Sequence, residues 1–316
     1  MNETSQMALV QFSTDLLVEI LHHLAYDGAM RTFDALAYCT HNNSDLAERA
    51  RRMPCPFVVV VQPTDKNHTF SIPVENATTI SVCVDWGDGS ELEVITSPRR
   101  ELSHDYAVTG QYTVRVHAYG TPQTPGVWLD AVGYTDIPGR STRRDVAVGY
   151  VSLGNLGIRS LVRFFAESDY NGPVEWNTHN ITDMQRMFFS AYKFNQPIGR
   201  WDVGKVTDMR AMFSVATSFN QPIGTWDVGK VTNMRSMFYD AMAFNQPIGR
   251  WDVRNVANML SMFCRASSFN QPIGDWDVGK VTTMSSMFLG ATAFNQSIAT
   301  WDVGKLTNMR CMFCDA

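Results

Sequence analysis

The sequence has few cysteines and no long hydrophobic run. Its 316 residues include six cysteines, too few for a disulfide-bonded scaffold and typical of a reducing compartment. No stretch approaches about 18 uninterrupted apolar residues, so we expect no transmembrane helix. The opening residues, "MNETSQMALVQFSTDLLVEIL", lack the basic leader and the small-residue cleavage site of a secretory signal. These features favour an intracellular protein.

Strong positive charge and catalytic motifs are also missing. Residues 1–150 carry 11 basic and 18 acidic side chains, and residues 151–316 carry 15 and 13, which argues against binding to a nucleic-acid backbone. The sequence contains no nucleophile-elbow, phosphate-loop or zinc-helix motif. Ser103, His104 and Asp105 are consecutive, so they cannot face one another as a catalytic triad does. We therefore expect a protein that is not an enzyme and binds no cofactor.

The sequence does contain an internal repeat. Tryptophan recurs every 25 residues, at 176, 201, 226, 251, 276 and 301. One unit is "WDVGKVTDMRAMFSVATSFNQPIGT" (201–225), and we number repeat positions from its tryptophan. A fixed period in this range is typical of a stacked solenoid. We assign residues 151–316 to this array, with a degenerate first coil at 151–175 and regular repeats from 176.

Each unit predicts one helix and one strand. Met209 begins an apolar stripe at i, i+3, i+4 and i+7, which predicts a short helix over 208–216 with Thr207 as its N-cap. The "FNQPIG" segment contains proline and glycine and is expected to be a short strand followed by a turn. We therefore predict an α+β multidomain fold that contains a right-handed α/β solenoid of leucine-rich type.

The most regular repeat positions are expected to be structural. The asparagine of "FNQPIG" lies where each coil must turn, and its amide can satisfy backbone groups of its own and the next coil. Tryptophan and phenylalanine are expected to stack from coil to coil. The asparagines are Asn195, Asn220, Asn245, Asn270 and Asn295.

The string "WDVGKVTNMRSMF", followed by "AFNQPIG", resembles the repeat of the BspA-like leucine-rich class. That class of about 25-residue repeats occurs in bacterial surface lipoproteins and, in large copy number, in some protists and large DNA viruses. The resemblance covers residues 151–316. It implies an interaction scaffold without catalytic activity, and a giant virus or a protist as a possible source.

Repeat positions that vary or carry charge are the candidates for binding a partner. Lysine recurs at position 5 and arginine at position 10, and such rows can attract an acidic partner. In the alternative interpretation these side chains form solvated faces, and the aspartates of position 2 balance the lysines locally. The candidate residues are Lys205, Lys230, Lys280, Lys305, Arg210, Arg235 and Arg310.

Two cysteines of the last repeat, Cys311 and Cys314, could be half of a zinc site or a redox pair. They fall at positions 11 and 14, which vary among the repeats. Because no second pair and no histidine lies nearby, we expect no metal there. Asp85, Asp88 and Glu91 do not follow the EF-hand spacing either, so no metal site is predicted.

Residues 56–120 alternate valine-, threonine- and tyrosine-rich runs with turn clusters, which predicts a small immunoglobulin-like β-sandwich. The strings "VDWGDGS" and "HDYAVTGQYTVRV" resemble the PKD-type immunoglobulin-like domain. The matching residues are Trp86, Gly87, Asp88, Gly89, Tyr106, Gly110 and Tyr112. Residues 121–150 are interpreted as a connector.

Residues 1–55 are predicted to be helical and resemble an F-box, the motif that binds the Skp-type adaptor of a cullin ubiquitin ligase. The best-matching residues are Leu16, Leu17, Ile20 and Leu21. Ser13 stands where the motif usually has proline, and residues 35–43 lack its usual tryptophan. The alternative is a helical cap that packs on the predicted sandwich.

The sequence thus supports two functional hypotheses. In the first, the chain is a non-enzymatic F-box-type adaptor in the cytoplasm of a eukaryotic or virus-infected host cell, and its solenoid binds a protein partner. In the second, it is a surface or adhesion protein of the BspA-like class, located on a cell or particle and without a role in ubiquitin ligation.

Overall fold

The part of the chain described by the computed structural model belongs to one of the two compact units into which the chain divides. The described residues are 57–63, 68–74, 77, 78, 80–91, 93–96, 101–118, 147–152, 156–174 and 176–316. The F-box-like segment, with Leu16, Leu17, Ile20 and Leu21, lies outside the described residues, as does most of the predicted connector.

Seven strands lie in the described residues before the repeats and form two antiparallel sheets. The larger sheet has the order β4-β3-β6-β1-β7, and the smaller one pairs β2 with β5. β7 pairs with β1 and crosses the boundary at residue 150 that the sequence predicts between connector and first coil. The strands are β1 (Phe57–Val61), β2 (Thr69–Pro73), β3 (Val82–Asp85), β4 (Glu93–Ile95), β5 (Glu101–Asp105), β6 (Tyr112–Ala118) and β7 (Ala147–Ser152).

Alternating burial explains why these segments form strands. In β3, Val82 and Val84 are fully buried while the residues after them are only half-buried, the pattern of a strand with one face on a core. The apolar side chains of both sheets join one core that continues into the repeats. Phe57 of β1 meets Phe164 of the first coil edge to face, with ring centroids 6.2 Å apart.

The repeats form a stack of coils, which we call the repeat array (residues 156–316). Successive coils are joined at position 8 by single parallel bridges. The first bridge joins residues 23 apart, and every later bridge joins residues 25 apart. The bridged residues are Ser160, Asp183, Asp208, Asn233, Asn258, Thr283 and Asn308.

The predicted α+β fold with its right-handed α/β solenoid of leucine-rich type is wrong, because the described residues contain no helix and residues 156–174 and 176–316 contain no strand either. The backbone donors of 208–216 are used differently from those of a helix. Met212 N–H donates to Met209 O three residues back at 3.2 Å, whereas Met209 N–H donates to Asn233 O of the next coil at 3.1 Å. Odd positions therefore bond between coils and even positions bond within a turn, so the i−4 bonds of an α-helix do not form.

Backbone dihedrals give a second reason for the absence of a helix. Positions 11 and 15 of every coil have positive φ, a left-handed conformation that breaks a right-handed helix. Thr207, the predicted N-cap, instead donates its N–H to Thr182 O of the preceding coil at 2.9 Å. The "FNQPIG" segments form no strand: their first five residues are irregular, and a turn begins at the glycine.

Stacked aromatic rings and a tryptophan hydrogen bond hold the coils together. Phe213 stacks on Phe188 of the preceding coil and Phe238 of the next, with centroids 5.5 and 5.7 Å apart. Buried Trp226 donates its indole N–H to the backbone oxygen of Ile198 at 3.2 Å. The regular positions are thus occupied by contacts between coils, which leaves the exposed and variable positions as candidates for function.

Candidate functional site

The predicted lysines lie in one exposed row at position 5, which we call the lysine row (Lys205, Lys230, Lys280 and Lys305). Each follows a glycine in a tight turn; in the coil 201–225 Val206 N–H donates to Val203 O at 2.8 Å and closes the turn. Both valines are buried, so the lysine between them is presented at the surface. Asn255 interrupts the row in the coil 251–275, which we call the middle coil because it is the third of the five coils within 201–316.

The neighbouring aspartates of position 2 bond to the backbone rather than to the lysines. Asp202 Oδ1 accepts the N–H of Gly204 at 3.0 Å, an Asx turn that recurs in the later coils. Among the described residues, no ion pair within 4 Å joins a position 2 aspartate to the lysine row. The aspartates and lysines therefore form two separate rows of opposite charge.

Two of the lysines are positioned by asparagines of the preceding coil. Lys205 Nζ donates to Asn180 Oδ1 at 3.1 Å, and Lys280 Nζ donates to Asn255 Oδ1 at 2.7 Å. A neutral amide orients an ammonium group without cancelling its charge. These lysines therefore keep a full positive charge that a partner can contact.

The middle coil uses a different arrangement. Arg254 at position 4 donates Nε–H to Asp252 Oδ1 at 2.7 Å, and this hydrogen bond lowers the pKa of Asp252. The guanidinium of Arg254 is thus paired with the carboxylate of Asp252. The lysine row is consequently divided into two pairs by a neutralised coil.

The predicted arginines of position 10 do not form a comparable row. Arg210 is half-buried and donates to Gln185 Oε1 at 2.6 Å, with Asp208 Oδ2 3.8 Å from its Nε. Arg235 and Arg310 are exposed, but the uncharged residues Leu260 and Ser285 occupy position 10 in the two coils between them. Arg210 therefore has a structural role between coils, and no hydrogen bond or ion pair among the described residues links the arginines to the lysine row.

A charged cluster on the first coils was not predicted from the sequence. Arg163 and Arg186 both lie over the ring of Phe189, each with its guanidinium carbon 5.8 Å from the ring centroid. Arg163 is buried and forms an ion pair with Glu167 at 3.1 Å. The first coil pairs at a distance of 23 residues instead of 25, so counting from tryptophan does not align Arg163 with Arg186.

A second polar cluster lies in the β-sheet region. His104 stacks on Trp86 with centroids 5.1 Å apart, and its Nε2 lies 2.7 Å from Asp88 Oδ2. Hydrogen bonds from Ser90, and then from His104, lower the pKa of Asp88 to about 2. The carboxylate thus lies between serine and histidine. A catalytic triad needs the histidine in the middle, so this cluster cannot activate Ser90 as a nucleophile.

The consecutive residues Ser103, His104 and Asp105 also have separate partners. His104 contacts Asp88, whereas Asp105 accepts a hydrogen bond from the hydroxyl of Thr69. Within the described residues, no group of three or more histidine, cysteine, aspartate or glutamate side chains is arranged to hold a metal ion. No described helix has the length and apolarity needed to span a membrane.

The repeat array matches a known protein family. A family described as "Mycoplasma protein of unknown function, DUF285" matches residues 159–263 and 246–316, which together are 158 of the 316 residues. The chain belongs to this family. It is a family of BspA-like repeats, so the resemblance of the repeat seen in the sequence is confirmed at that level.

The family match begins at residue 159 and supports neither the F-box-like nor the PKD-like resemblance. No curated protein and no solved structure matches the chain. The functional interpretation of this DUF285 member therefore depends on its own surface.

Proposed function

We propose that the chain is a non-enzymatic scaffold whose repeat array binds an acidic protein partner. The observation that carries this proposal is the lysine row, whose exposed ammonium groups are not ion-paired with the aspartates beside them. In an ordinary solvated face, opposite charges pair locally and leave little net field for a partner.

The spacing of the coils strengthens the positive field. Residues joined by parallel bridges in adjacent coils lie about 4.8 Å apart along the stack. Two like unit charges would repel each other by roughly 0.8 kcal/mol in water if their side chains kept the backbone spacing of about 5 Å. Acidic groups of a partner would relieve this repulsion within the pairs Lys205–Lys230 and Lys280–Lys305.

The parallel row of aspartates adds orientation. A partner that places acidic groups over the lysines and basic or neutral groups over the aspartates would fit in one direction only, because like charges brought together disfavour the reverse arrangement. The two rows therefore support selective binding rather than general adhesion to any acidic surface.

The deciding experiment compares two variants of the full chain as bait in a lysate of the source cells. One variant combines Lys205→Gln, Lys230→Gln, Lys280→Gln and Lys305→Gln. The control is Lys193→Gln, an exposed lysine that is paired with Asp169 at 2.7 Å and lies outside the row. We expect wild type and control to capture the same acidic proteins, released by salt, and the quadruple variant to lose them. Unchanged capture by the quadruple variant would overturn the proposal.

The F-box-type adaptor is the finer version of this proposal, and it is supported by the sequence of residues 16–21 alone. Its test is binding of the full chain to a purified Skp-type adaptor. Leu16→Ala combined with Ile20→Ala should abolish binding if the motif is an F-box. No binding by the wild-type chain would remove ubiquitin ligation from the proposed function.

The alternative is a surface or adhesion protein, favoured by the BspA-like repeats that this family shares with surface proteins. Fractionation of the source cells distinguishes the two versions. Labelling of the chain by a reagent that reaches only the surface of intact cells would favour the surface protein. Co-purification of the chain with the Skp-type adaptor from the intracellular fraction would favour the ligase component. Either location is compatible with a partner on the lysine row.

A further inference from the structure

Cys311 and Cys314 occupy the ends of one tight turn in the last coil. Cys314 N–H donates to Cys311 O at 3.3 Å, the i+3 to i bond of a β-turn. The α-carbons at the ends of such a turn lie within about 7 Å of each other. A disulfide requires α-carbons about 4.4 to 6.8 Å apart, so the backbone already provides the approach that the bond needs.

The two side chains also lie on the same side of this turn. The proximity of the Cys311 thiol raises the pKa of Cys314. Both cysteines are free thiols and both are exposed. A small reagent can therefore reach either sulfur, and each sulfur is within reach of the other.

The other coils show that this pair is not imposed by the repeat. The same turn has Ser261 with Cys264 in the middle coil and Ser286 with Leu289 in the next. Cys264 is 4% exposed and faces a serine. A turn with cysteine at both ends and with access to solvent occurs in the last coil alone among the described repeats.

We propose that Cys311 and Cys314 form a dithiol site that reacts with small-molecule disulfides of the glutathione class and closes to an intramolecular disulfide. The thiolate of one cysteine attacks a sulfur of the reagent, which forms a mixed disulfide and releases one thiol. The second cysteine attacks the sulfur of the first, forms the Cys311–Cys314 bond and releases the second thiol. The two electrons and two protons lost by the chain appear on the two released thiols.

The exchange depends on pH because only the thiolate is a nucleophile. The raised pKa of Cys314 lowers the thiolate fraction of this residue at a given pH. The exchange therefore accelerates as the pH rises.

The test uses the folded full chain and oxidised glutathione, followed by alkylation, trypsin and mass spectrometry. Trypsin cleaves after Arg310, so the pair is recovered in the peptide that begins at Cys311. We expect this peptide to be lighter by two hydrogen atoms and to resist alkylation. In Cys311→Ser, which installs the serine found at this position in other coils, a stable glutathione adduct should remain on Cys314. A peptide that stays fully reduced, carries two adducts or is cross-linked to another cysteine would overturn the proposal.

A matched control separates turn geometry from access. Ser261→Cys places a second cysteine opposite buried Cys264, in a turn closed by the same N–H to O distance of 3.3 Å. We expect this pair to react much more slowly than Cys311 and Cys314 in the folded chain, and at a similar rate in denaturant. Faster closure of the buried pair in the folded chain would show that exposure does not determine the reaction.

Discussion

Asn220 Oδ1 accepts the backbone N–H of Asn245, in the next coil, at 3.0 Å. The same oxygen accepts a bond from the side-chain amide of Gln246 at 2.9 Å, and the Gln246 amide also reaches Asn220 O at 3.0 Å. One amide oxygen thus satisfies two donors of the neighbouring coil. This relationship recurs along the array and explains why asparagine is kept at position 20.

Replacing Asn220 with alanine should destabilise the array by about 1–3 kcal/mol, because the half-buried N–H of Asn245 loses its acceptor and the Gln246 amide loses one of its two acceptors. The control is Asn295→Ala, since Asn295 Oδ1 makes no such bond among the described residues. Chemical denaturation measures the free energy of unfolding of both variants. Equal losses for the two variants would show that the bonds between coils do not stabilise the array.

Position 11 should prefer glycine although it carries other residues. Ala211 has a φ of 51°, a conformation that costs a residue with a Cβ about 1–2 kcal/mol relative to glycine. Ala216, also buried, is not among the residues with positive φ. We therefore expect the Ala211→Gly variant to be at least about 1 kcal/mol more stable than the Ala216→Gly variant. Thermal unfolding of both variants decides the point, and the opposite order would argue against left-handed strain.

The contribution of a stacked ring should depend on how many coils cover it. Phe238 is fully buried between Phe213 and Phe263, so Phe238→Ala should cost about 3–5 kcal/mol. Phe313, at the same repeat position, is 48% exposed and stacks on Phe288 at 5.5 Å. Phe313→Ala should cost clearly less in the same denaturation assay. A comparable cost would mean that stacking on one neighbour is sufficient.

Acid should weaken the β-sheet region through Asp88. Hydrogen bonds from Ser90 and His104 lower its folded pKa to about 2 from 3.8, so the folded state favours the carboxylate. The resulting stabilisation is present above about pH 4 and is lost as the pH falls toward 2. The stability advantage of wild type over Asp88→Asn should therefore shrink across this interval. An advantage that does not change with pH would contradict the role of the carboxylate.

The difference between sequence and structure is clearest in the segment 208–216. Its apolar spacing of i, i+3, i+4 and i+7 is the spacing of a helix, and the same side chains are indeed buried. The backbone nevertheless bonds alternately to itself and to the next coil. Periodicity reports which side chains face a core, and a stack of turns with the neighbouring coil in place can bury the same residues.

The candidate site was predicted in part. Counting from tryptophan identified the lysines of position 5, which are exposed in the structure as members of one row. It gave no means of separating them from Arg210, whose guanidinium is bonded to Gln185 and held near Asp208. It also missed Arg163, because the first coil departs from the 25-residue spacing of the later coils.

The sequence by itself determined the period, the residues that stack and the family of the repeat, because identical side chains at a fixed interval must meet their copies in adjacent coils. The tertiary structure decided the backbone path. A residue such as Val215 adopts a φ of 61° because its N–H then donates to Tyr239 O at 2.7 Å. That bond exists only when the next coil is present, so no local preference of the chain could have indicated it.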